Sequence, residues 1–106
     1  MPDFSIKLNI IAKNTDASLR KFFSQQKKNS YLVKVMKYGI FSGGKRFRSA
    51  ILVNTGKILG IDYKNLIIIG AAVECIHSYS LIHDDLPSMD NDELRRGKPT
   101  VHKKFN

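Results

Sequence analysis

Leu66-Ile-Ile-Ile-Gly-Ala-Ala-Val-Glu-Cys-Ile-His-Ser-Tyr-Ser-Leu-Ile-His-Asp-Asp-Leu86, residues 66–86, is apolar on nearly every helical face. A helix of that kind has to be enclosed by neighbours, which puts it inside a bundle. Asp62 is placed to cap it and Pro87 to stop it. Along it, Glu74, His77, Leu81 and Asp84 recur at i, i+3, i+7 and i+10, forming one stripe. His77 and Asp84 point the same way, about 10 Å apart along the axis. A polar stripe on a buried helix lines a wet cavity or meets partners. Taken alone, His77 reads as a hydrogen-bonded core histidine, but its alignment with the carboxylates favours a functional one.

The rest of the chain is helical too. Phe4, Leu8, Ile11, Thr15, Leu19 and Phe22/Phe23 recur every three or four residues, predicting an amphipathic helix over about 4–26. Asn29-Ser30 reads as a break and cap. Leu32, Val35, Met36 and Ile40 predict a shorter helix that stops at Gly43-Gly44. A third helix, over about 47–59, ends with Gly60 in the C′ position. Residues 87–99 read as a turn-rich loop, and Thr100 as the cap of a further helix. Alternating strand patterns are missing, so the fold class is all-α.

Five of the nine acidic residues, Asp84, Asp85, Asp90, Asp92 and Glu93, fall within ten positions. They repel one another unless a cation sits among them. Hard oxygen ligands at that density suit Mg²⁺, which takes one or two carboxylates and completes its octahedron with water and substrate phosphates. Arg95, Arg96 and Lys98 follow at once, and guanidinium forks match phosphate oxygens. An acidic cluster followed by a basic one describes a place where metal-bridged phosphates are held.

Ser42-Gly-Gly-Lys-Arg-Phe-Arg-Ser49 is the second informative segment. Two glycines let the backbone come close to a ligand, and N–H groups opening a helix attract anions. Lys45 and Arg48 share one side of the first turn, while Arg46 and Phe47 point elsewhere. Cations there oppose the macrodipole, a cost that a bound anion relieves. The spacing is not that of a Walker A loop. By itself, the segment reads as a Gly-Gly turn with solvated basic residues.

Composition bounds these readings. At 106 residues the chain holds at most one small domain. Its net charge of +9 raises the question of nucleic acid, but the lysines of residues 7–64 are spread out, as on a solvated surface. No secretory leader is seen, and the longest uncharged apolar run, Leu66–Val73, is too short to span a bilayer. The single Cys75 reads as a small core residue. These features lead us to expect a soluble, cytoplasmic protein with no membrane or nucleic-acid partner.

Taken in order, Gly-Gly-Lys-Arg-Phe-Arg, His77, Asp-Asp-Leu-Pro-Ser-Met-Asp and Arg95-Arg96-Gly-Lys-Pro-Thr closely resemble the amino-terminal part of the trans-polyprenyl diphosphate synthases. The likeness is to the bacterial, farnesyl-forming type and covers essentially all 106 residues. It implies the isoprenoid synthase fold, an antiparallel bundle of long helices around a deep cavity, usually as a homodimer. The implied reaction condenses an allylic diphosphate (dimethylallyl or geranyl) with isopentenyl diphosphate and releases pyrophosphate. By resemblance, Asp84 and Asp90 bind Mg²⁺ bridging to the allylic diphosphate, with Asp85 an indirect or water-mediated partner. Arg95 then holds the allylic diphosphate, and Lys45, Arg48, His77 and Arg96 the isopentenyl diphosphate. Met89 and the apolar flank of the fourth helix suit the wall of a dry pocket that shields a carbocation.

Tyr79 lies five residues before Asp84, about a turn and a half deeper along the helix. In this family an aromatic there closes the floor beneath a fifteen-carbon chain, and the small Ser80 beside it fits the bacterial pattern. Farnesyl is the expected product and geranylgeranyl or longer the alternative. Family members are much longer and carry a second aspartate-rich motif. The chain therefore reads as the truncated amino-terminal part of one polyprenyl synthase domain, expected to be inactive and poorly folded alone. One rival is a Mg²⁺-dependent phosphohydrolase with His83 or His102 as base, which leaves the Gly-Gly-Lys-Arg segment unexplained. The other is a basic nucleic-acid-binding module.

Overall fold

The computed structural model describes residues 2–26 and 30–105. Along the chain run α1 (Pro2–Ser24), α2 (Tyr31–Phe41), α3 (Phe47–Ile58), α4 (Tyr63–Asp85), β1 (Leu94–Arg95), β2 (Lys98–Pro99) and α5 (Val101–Phe105). The expected helices are all there. Asn29 lies outside the described residues. Ser30 does cap α2, its hydroxyl accepting the Val33 N–H at 3.4 Å. Gly60, at φ +79°, ends α3 as expected: its N–H reaches Lys57 O at 3.0 Å and the next N–H reaches Gly56 O at 2.9 Å, a Schellman closure.

These elements pack as two compact units. In the first, α1, α3 and α4 as far as Glu74 enclose Ile11, Ala50, Val53, Leu66 and Ile67, with Leu8, Leu52 and Tyr63 against them. Small residues let the helices close up. Gly56 lies directly against Leu66, and Gly70 against Ser49. Ser49 Oγ is 2.8 Å from Thr15 Oγ1, and both residues are fully buried. Among the polar groups, Arg46 is turned inward and its Nε donates to Asp16 at 2.7 Å.

Enclosure of α4 is met on one side only. Leu66, Ile67, Gly70, Ala71 and Glu74 are buried, but Ile68, Ile69 and Ile76 are exposed. With 23 residues, α4 is long and apolar enough to cross a membrane by length and composition. Counting only the run Leu66–Val73 missed this, because the helix continues through Glu74 and His77. The core helix of a soluble protein passes the same test.

The second unit holds α2, α4 from Cys75, the hairpin and α5. The loop read as irregular contains an antiparallel pair, Leu94 opposite Pro99 and Arg95 opposite Lys98. Strands of two residues carry no alternation that a sequence could display. Arg96 and Gly97 form the turn at φ 53° and 76°, the doubly positive pattern of tight hairpins. Tyr38 holds it from α2, its hydroxyl donating to Pro99 O at 2.5 Å. Phe105 of α5 packs edge-on against Tyr31 and Tyr38.

Candidate active site

The end of α4 explains the shape of the acidic loop. The last carbonyls of a helix have no intrahelical donor, and here the loop supplies them. Asp90 N–H reaches Asp84 O at 2.9 Å and Asp92 N–H reaches Asp85 O at 3.1 Å. Asn91, at φ 50°, turns the chain back so that its N–H meets Leu86 O at 2.9 Å. Asp90 is thereby folded beside Asp84, and both side chains are exposed. Thr100 braces the far end of the loop. Its hydroxyl donates to Asp92 O at 2.7 Å, and its N–H reaches Glu93 O at 2.9 Å. The helix it was expected to cap does begin at Val101, but the hydroxyl serves the loop instead.

Asp85 behaves differently from its neighbours. It is buried, and its two oxygens accept the Arg95 fork, Nε at 2.8 Å and Nη2 at 2.7 Å. That hydrogen bonding holds the Asp85 carboxyl below its ordinary value despite burial, and it raises Arg95 in turn. Arg96 projects from the turn and is exposed, with its stem lying over Gly43. A Cβ on Gly43 would come 2.9 Å from Arg96 Cδ. The glycine expected to admit a ligand thus also makes room for an arginine. His77 is half-buried on α4, and Tyr79 and Ser80 are exposed. The Tyr79 ring is stacked on His83, centroids 6.1 Å apart.

Lys45 and Arg48 belong to the first unit and are exposed there. Lys45 lies over the Phe47 ring at 5.9 Å. Glu74, read as part of the functional stripe, is instead a structural cap: its carboxylate accepts the Ser49 N–H at 3.0 Å, deep in the first unit. Sequence reading also missed the bracing of the loop by the Thr100 hydroxyl and the contact of Tyr38 with Pro99, 61 positions away, neither of which leaves a local signature. Among the described residues no three His, Cys, Asp or Glu side chains are gathered into a ready-made metal cage. Asp84 and Asp90, joined through their backbones and both exposed, are of the ligand type that fits Mg²⁺, which keeps most of its shell for water and phosphate.

Fold and site define an all-α class of protein whose long apolar helix ends in an aspartate loop clamped to an arginine hairpin. Residues 29–106 match the family described as polyprenyl synthetase, and the chain belongs to that family. Farnesyl diphosphate synthase of Escherichia coli (strain K12) is 46% identical over 104 residues, 97% of this chain and 35% of that protein. Among solved structures, a geranyltransferase from Legionella pneumophila aligns with a TM-score of 0.86 at 40% identity, over 92% of this chain and 34% of that one. An FPP/GFPP synthase from Zymomonas mobilis gives 0.84 at 42% identity, over 97% and 37%. The chain spans about a third of the length of these relatives.

Proposed function

We propose that the protein carrying this sequence is a prenyltransferase that joins an allylic diphosphate to isopentenyl diphosphate, forming farnesyl diphosphate and pyrophosphate. The observation that carries the reading is the backbone bond from Asp90 N–H to Asp84 O at 2.9 Å, which folds the loop back, with Arg95 clamped alongside by Asp85. Asp84 and Asp90 would hold Mg²⁺, and a bound Mg²⁺ neutralises the pyrophosphate as it leaves. Arg95 would bind the allylic diphosphate and stabilise the charge that grows on it when the C–O bond breaks. The alkene of isopentenyl diphosphate then forms the new C–C bond, and loss of a proton restores a double bond. Lys45, Arg48, His77 and Arg96 are the groups proposed for isopentenyl diphosphate, on the strength of the family motifs. Tyr79 would limit the chain to fifteen carbons. We read the protein as a soluble, cytoplasmic homodimer.

The test is to incubate the purified full-length protein carrying this sequence with Mg²⁺, geranyl diphosphate and labelled isopentenyl diphosphate and to identify the product by chromatography. A fifteen-carbon diphosphate is expected. No Mg²⁺-dependent product, together with salt-sensitive binding to duplex DNA, would replace this reading with that of a basic nucleic-acid-binding module.

A further inference from the structure

Asp85 stands inside the aspartate motif, yet its geometry sets it apart. It is 3% exposed, and its two oxygens are occupied by Nε and Nη2 of Arg95. Its backbone is the last residue of α4, a 23-residue helix, and its carbonyl is tied to Asp92 N–H at 3.1 Å. Arg95 sits on a two-residue strand, paired with Lys98 across the hairpin, a weak support by itself. A guanidinium has five N–H donors in a rigid fork, so a carboxylate that grips one edge fixes where the remaining donors point. The Arg95 side chain is 34% exposed, so the Asp85 contact does not seal it in.

We propose that Asp85 is a positioning residue for the reaction above: it gives no oxygen to the metal, and instead aims the Arg95 fork at the allylic diphosphate. The proposal rests on the prenyl-transfer reading. Its consequence is a separation of roles within one motif, with Asp84 and Asp90 acting on the metal and Asp85 on the anion through Arg95.

Initial rates of the parent, Asp84→Ala, Asp85→Asn and Arg95→Lys are measured against geranyl diphosphate, isopentenyl diphosphate and Mg²⁺ in turn. Asp85→Asn should raise KM for geranyl diphosphate by about tenfold to a hundredfold, the cost of a misaimed contact. KM for isopentenyl diphosphate and the half-saturating Mg²⁺ concentration should stay at parent values. Arg95→Lys should reproduce the same defect, and the double variant Asp85→Asn/Arg95→Lys should add nothing to it. A raised Mg²⁺ requirement in Asp85→Asn, or additive losses in the double variant, would overturn the proposal. If Asp85→Asn fails to fold, Arg95→Lys decides alone, because an unchanged KM for geranyl diphosphate refutes the role. A parent without prenyl transfer would sink the parent reading instead. Calorimetric binding of inorganic pyrophosphate with Mg²⁺ then judges Asp85 separately: equal affinity in parent and Asp85→Asn refutes the role, and weakening by a similar factor upholds it.

Discussion

The carboxylate of Glu74 on α4 caps α3 through the Ser49 N–H, at 3.0 Å. The residue that should cap α3 itself, Arg46, sits at φ 60° and makes no side-chain capping bond. Its guanidinium is turned to Asp16 instead. An acid borrowed from another helix thus satisfies a buried donor and complements the positive end of the dipole. Replacing Glu74 with Ala strands the Ser49 N–H and should cost about 1–3 kcal/mol. Glu74→Gln, which keeps an acceptor oxygen, should recover most of it. Chemical denaturation of both variants checks this, and equal losses would mean that charge rather than the bond matters.

Gly70 faces the same Ser49. A Cβ there would run into the Ser49 hydroxyl and come 3.2 Å from its Cα, which is backbone and cannot swing aside. Gly70→Ala should therefore destabilise by about 1–3 kcal/mol through overpacking. Gly60 has open space around it and φ +79°, so Gly60→Ala should cost only about 1 kcal/mol, from the backbone alone. Comparing the two melting temperatures tests the distinction.

Asp84→Ala and Asp90→Ala each remove a proposed metal oxygen and should lower turnover by about a hundredfold or more. Asp92→Ala should do far less, because Asp92 serves the loop through its backbone carbonyl and N–H. Steady-state rates at saturating Mg²⁺ measure this. Near-parent turnover in Asp84→Ala or Asp90→Ala would refute the metal assignment.

Tyr79 is exposed on α4 and stacked on His83. With Tyr79→Ala the proposed pocket floor opens, and product should extend beyond fifteen carbons while the protein stays folded. Chromatography of labelled product reads the length directly. Product still ending at farnesyl would leave Tyr79 with a packing role only.

The Asp85–Arg95 pair also sets a pH dependence. The folded-state Asp85 carboxyl lies below its ordinary value, so the pair's contribution is fully present above about pH 4. It is lost as pH falls through the lower folded value. The difference in urea midpoint between the parent and Asp85→Asn should hold constant from about pH 5 to 8 and shrink on further acidification. A difference that persists unchanged in strong acid would show that the interaction does not depend on the carboxylate's charge.

What the sequence settles by itself is local or periodic. The spacing of Leu8, Ile11, Thr15 and Leu19 specifies α1, Gly60 the end of α3 and Pro87 the end of α4, because each acts on neighbours within one or two turns. The order Gly-Gly-Lys-Arg, His77, Asp-Asp-Leu-Pro-Ser-Met-Asp and Arg-Arg-Gly likewise identifies the family without coordinates. Roles within the motifs needed the tertiary structure. Asp84 and Asp85 are adjacent and chemically identical, yet consecutive helical side chains diverge by about 100°, and only one of them meets Arg95. Glu74 falls on the functional stripe by count and is claimed by Ser49, 25 residues away in the chain. Gly43 and Arg96 make contact across 53 positions. Partnerships of this kind depend on which surfaces the packed helices bring together, and no local pattern records them.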